Sequence, residues 1–120
     1  MSVNIQLDKI IKQKEGTLKG SIFNTSISAG ANIFGSDLSP SSTVSIFRIY
    51  CAFASEGVLS VARTKGGTTI TEKLNEGESL FPNCAYIFDI LVESGETINF
   101  RYSTATTCLV LKVVEIPVGV

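Results

Sequence analysis

The stretch Ala85-Tyr86-Ile87-Phe88-Asp89-Ile90-Leu91-Val92 constrains this chain more than any other. In an extended segment Tyr86, Phe88, Ile90 and Val92 fall on one face, and Ala85, Ile87 and Leu91 on the other. A strand that is apolar on both faces is covered on both faces, so this one is expected in the middle of a structure. Asp89 is its only charge. Turn residues bound it: Pro82-Asn83 before, and Glu93-Ser94-Gly95-Glu96 after.

Other segments read as strands by the same alternation. Between residues 18 and 34, Phe23, Thr25, Ile27, Ala29, Ala31 and Ile33 share one parity, against Asn24, Ser26, Ser28 and Asn32. That run is too long for one straight strand, and Gly30 is expected to bend it. Residues 35–42 form a loop by composition. From Thr43 to Ala54, Phe47, Ile49, Cys51 and Phe53 make an apolar face opposite Val44, Ile46, Arg48, Tyr50 and Ala52. Residues 58–64 and 68–74 flank Lys65-Gly66-Gly67, a hairpin signal, and the second of these strands is Thr-rich and suits an edge. The connection 75–84 is longer than a hairpin and holds Leu80 and Phe81, which suits a crossing between two sheets. Residues 97–103 point Ile98, Phe100 and Tyr102 inward, and 107–116 give a last strand before Pro117 ends pairing.

These seven or eight segments predict an all-β fold, an antiparallel β-sandwich of jelly-roll or Greek-key type. No helical pattern separates the strands, which excludes a parallel βαβ fold. Residues 1–17 stand apart. Val3, Leu7, Ile10 and Ile11 follow a helical stripe, while Val3, Ile5 and Leu7 also alternate. A short helix or an arm packed on a neighbouring subunit is expected there, ahead of a single domain over 18–120.

Composition narrows the function. At 120 residues the chain makes one domain. Only 18% of residues are charged and 44% are hydrophobic, against about 25% charged in an average soluble domain. Either subunit contacts cover part of the surface, or a thick core lies under a Ser/Thr-rich exterior. A net charge of −1 offers no field to draw in nucleic acid or an anionic membrane. No apolar run approaches the roughly 20 residues that span a bilayer. The N-terminal stretch lacks the continuous apolar segment of a secretory signal, so synthesis in the cytoplasm is expected.

Catalytic constellations are missing from the pattern. The chain has no histidine, which removes the usual triads and mixed zinc sets. No pair of acids is spaced as a glycosidase needs, and no phosphate loop or dinucleotide signature occurs. The expectation is a protein that is not an enzyme and uses no metal or cofactor. Cys51 and Cys108 fall within strands as small core residues, and Cys84 at a strand entrance could pair with either.

Arg48, Arg63 and Arg101 lie in three different strands, and Asp89 in a fourth. One reading joins them, with Tyr50 and Tyr102, into a site for a glycan or another small ligand. The plainer reading pairs Asp89 with Arg101, or with Arg48, in or near the core, where an unpaired carboxylate costs several kcal/mol.

Leu74-Asn75-Glu76-Gly77, then Tyr86-Ile87-Phe88-Asp89-Ile90, then Ser94-Gly95-Glu96-Thr97-Ile98-Asn99-Phe100-Arg101-Tyr102-Ser103 form a progression. It resembles small β-rich structural proteins of tailed viruses of bacteria and archaea. Phe47-Arg48-Ile49-Tyr50 and Gly57-Val58-Leu59-Ser60-Val61 extend the likeness to roughly residues 43–114, while residues 1–20 depart from it. The resemblance implies a virion component: a capsid decoration, turret or fibre-associated subunit. Such a subunit is homo-oligomeric, with a trimer favoured, touches other virion proteins, and brings no catalytic residues. The alternative is a carbohydrate-binding module, such as a receptor-binding head, on the same scaffold.

Overall fold

The computed structural model describes residues 16–118. Seven strands run in order: β1 (Thr17–Ile27), β2 (Val44–Phe53), β3 (Leu59–Lys65), β4 (Thr68–Lys73), β5 (Tyr86–Glu93), β6 (Glu96–Tyr102) and β7 (Thr106–Pro117). They form two antiparallel sheets, one ordered β1-β7-β2-β5 and the other β4-β3-β6. The all-β class and the two-sheet architecture are those the alternation predicts. The helix or arm expected over the N-terminal stretch lies outside the described residues, apart from Gly16 and Thr17, and Thr17 already belongs to β1.

Alternation places the core. Phe47, Ile49, Cys51 and Phe53 of β2, Leu59 and Val61 of β3, and Ile98, Phe100 and Tyr102 of β6 are buried between the sheets, with Leu111 and Val113 of β7. Each such side chain contributes about 1.5–3 kcal/mol on leaving water. Phe53 and Tyr102 stack with ring centroids 3.8 Å apart, one ring from each sheet.

The turns follow their residues. Lys65 pairs with Thr68 across Gly66-Gly67, both at positive φ, the backbone that a two-residue hairpin needs and that glycine adopts without strain. The 74–85 connection carries the chain from the three-stranded sheet to the four-stranded one through a short 3-10 turn at Asn75–Gly77. Leu74 and Leu80 anchor it in the core while Phe81 stays largely exposed. β4 is exposed along its whole length, as its threonines suggest.

Two expectations need correction. β5 is not central: among the described residues it is an edge of the four-stranded sheet, paired only with β2. Its Tyr86, Phe88 and Ile90 face inward, but Ile87 and Leu91 on its other face are exposed. The run from 18 to 34 is not one bent strand either. β1 ends at Ile27, and the segment from Gly30 to Leu38 crosses over to lie along β6. There Gly30 N–H donates to Tyr102 C=O, Ile33 N–H to Phe100 C=O, and Leu38 exchanges bonds in both directions with Ile98.

Candidate functional site

The outer face of the four-stranded sheet follows from the same parity. With odd-numbered β2 residues in the core, Val44, Ile46, Arg48 and Tyr50 point away from it. Cross-strand register then sets rows over this face. Ile116, Ile46 and Leu91 make one row; Leu18, Val114, Arg48 and Asp89 the next; Ser21, Lys112, Tyr50 and Ile87 the third. Phe23 lies beyond, opposite Val110. Leu18, Phe23, Ile87 and Leu91 are each more than half exposed, at 55%, 62%, 61% and 51%.

Arg48 and Asp89 on this face are paired with each other. Arg48 Nε and Nη2 donate to the two oxygens of Asp89 at 2.8 and 2.9 Å. These bonds hold the Asp89 carboxyl below its ordinary value against a smaller desolvation effect, and raise the Arg48 guanidinium further above its own. Lys112 Nζ sits 5.6 Å from the centre of the Tyr50 ring, within reach of the ring's negative face. The ion pair thus forms with Arg48 and not with Arg101, and on the outer face, not in the core: Arg48 has outward parity on β2 and lies directly opposite Asp89.

The arginines are not brought together. Arg63 has core-facing parity on β3 but sits near the strand's end, where it reaches the sandwich rim. There it bonds Glu72 at 2.8 Å, Glu96 at 3.1 Å and the backbone carbonyl of Leu91. The Glu93 N–H, and then the Arg63 charge, hold the Glu96 carboxyl low despite desolvation. Arg101 lies on the outer side of β6, opposite Ser60, and donates to Asn99 Oδ1 at 3.0 Å and to Gly30 C=O at 2.9 Å. Tyr102 is a core residue whose hydroxyl donates to Ser55 C=O at 2.7 Å, and burial pushes its phenol up to about 12. Of the five residues considered for ligand binding, only Arg48 and Tyr50 share a surface.

One polar centre escaped sequence reasoning. Glu115 is fully buried at the end of the sandwich. Its carboxylate accepts from Ser41 N–H at 2.7 Å, Ser41 Oγ at 2.7 Å and Ser45 Oγ at 2.6 Å, and Lys19 Nζ lies 3.4 Å away. Burial raises its pKa, but the hydrogen bonds from Ser45 and Ser41 and the Lys19 charge outweigh that, so the net shift is downward. With its oxygens satisfied, the group ties β1, β2 and the 35–43 loop to β7. Its signal was one acid on the parity of Leu111 and Val113. That signal was obscured because β7 bulges where Phe53 pairs with Cys108 but Ala52 pairs with Val110.

The three cysteines are free thiols, Cys51 and Cys108 buried and Cys84 exposed. Burial pushes the Cys51 thiol up to about 12 and the Cys108 thiol to about 11. Among the described residues no group of three or more Cys, Asp or Glu is placed to hold a metal ion. Comparison with protein-family models gives no match, and neither does comparison with curated proteins.

Proposed function

We propose that this chain is a structural subunit of a virus particle, a homo-oligomeric capsid decoration, turret or fibre-associated protein that acts by subunit contacts. The observation that carries this reading is the outer face of the four-stranded sheet, where exposed Leu18, Ile87 and Leu91 lie in rows with Ile46, Val114 and Ile116. Monomeric soluble proteins rarely leave a contiguous apolar surface of this kind uncovered, and such surfaces mark contacts with other macromolecules. The charges within it, Arg48 with Asp89, enter a contact already paired, which lowers the cost of covering them. The viral setting rests on the motif progression from Leu74 to Ser103. Within this reading the two sheets form a jelly-roll-type sandwich, and the partners are further copies of the chain and other virion proteins.

Mass spectrometry of purified particles from a culture carrying the gene tests the proposal. The chain is expected in the particle fraction at a fixed ratio to the major shell protein. Its confinement to the soluble lysate, with particles free of it, would overturn the reading.

A further inference from the structure

Among the described residues, a strand with apolar side chains on both faces occupies a sheet edge. Ser94 N–H donates to Thr43 C=O, in line with the β5–β2 register. Even-numbered β5 residues therefore turn their backbone polar groups toward β2, and odd-numbered ones turn theirs outward. Two outward groups are met by side chains: Leu91 C=O by Arg63 and Glu93 N–H by Glu96. The N–H and C=O of Ile87 and Asp89, and the N–H of Leu91, have no protein partner among the described residues.

The other edges are blunted, as edges usually are. The 30–38 segment lies along β6. β4 offers threonines and charges, fully exposed. β1 breaks register between Leu18 and Gly20, which twists an edge away from flat pairing. β5 has no such break, no proline and no lysine, and its one mid-strand charge is held by Arg48.

We propose that β5 pairs antiparallel with β5 of a second copy about a twofold axis at Asp89, joining two four-stranded sheets into one. The strand reads alike in both directions from that residue: Phe88 and Ile90 flank it, then Ile87 and Leu91, then Tyr86 and Val92. Pairing sets Ile87 opposite the partner's Leu91, so two exposed side chains become cross-strand neighbours on the outer face. Tyr86, Phe88 and Ile90, only partly buried in one copy, gain neighbours on the inner face. The two Asp89 carboxylates meet at the axis, each carrying its own Arg48. The Leu91 carbonyl has a second lone pair beside the one Arg63 uses, so it still accepts from the partner's Ile87. A second copy fits this edge because the pattern is its own complement. The double apolar face of residues 85–92 is then covered by the assembly instead of by the single chain.

This deepens the assembly reading and rests on it. The test is residue-resolved amide exchange together with sedimentation, on the full chain and on its Ile87→Lys/Leu91→Lys variant. Both substituted side chains are exposed, so the fold is kept, and pairing would set lysine against lysine. The wild-type chain is expected to sediment as a dimer or a multiple of one. Its Ile87, Asp89 and Leu91 amides are expected to exchange at least about 100-fold more slowly than in the variant. The Phe88, Ile90 and Val92 amides, bonded to β2, stay protected in both and report an intact fold. An assembled wild-type chain whose three outward amides exchange as fast as the variant's would overturn the strand pairing and leave the assembly reading standing. A monomer with fast outward amides would overturn both. Slow outward amides in a strict monomer would mean that the edge is covered within the single chain, which also overturns the pairing.

Discussion

Ser45 Oγ donates a 2.6 Å hydrogen bond to Glu115 Oε2, joining β2 to β7 beneath the surface at the end of the sandwich. Because Ser41 and Lys19 reach the same carboxylate, one side chain fastens three segments. Glu115→Ala leaves a buried serine hydroxyl and a nearby ammonium without their acceptor. A loss of roughly 3–5 kcal/mol is expected in urea unfolding. Glu115→Gln keeps the shape and one acceptor oxygen, and is expected to cost less, about 1–3 kcal/mol.

The same carboxylate sets an acid limit. Its folded-state pKa lies below the ordinary value of 4.5. Its contribution is therefore present above pH 4.5 and is lost as pH falls through the folded value. Asp89 and Glu96, also held low, act in the same direction, though the exposure of Asp89 to solvent weakens its share. Urea midpoints measured from pH 6 down to about pH 3 are expected to fall for the wild-type chain and to fall less for Glu115→Gln. Equal slopes for the two chains would place the acid sensitivity elsewhere.

Across the core, Tyr102→Phe keeps the stack on Phe53 and removes only the bond to Ser55 C=O. It is expected to cost about 1 kcal/mol. Phe53→Ala removes the partner ring from a fully buried site and is expected to cost about 3–5 kcal/mol. Thermal unfolding of the two variants checks the ranking.

At the β3–β4 hairpin, Gly67→Ala forces an L side chain to φ +83, although nothing crowds the site. About 1 kcal/mol of destabilisation is expected from backbone conformation alone. An unchanged denaturation midpoint would show that the turn relaxes to another type.

Much of the fold was legible because alternation records burial. Phe47, Ile49 and Phe53, and Ile98, Phe100 and Tyr102, lie where their parity puts them. Alternation does not record what covers a face. Ile87 and Leu91 marked β5 as covered on both sides, yet within one chain they line an exposed surface. Nor does parity survive a bulge: the irregularity at Cys108 hid Glu115 among core positions. Ion pairs depend on register between distant strands, so Asp89 could not be assigned to Arg48 over Arg101 until β2 and β5 were aligned.

Sedimentation velocity of the 120-residue chain over a wide concentration range tests most directly whether this molecule works through contact between copies. An assembled species that dissociates on dilution, or persists throughout, is the expected result. A single monomeric boundary at every concentration would contradict it.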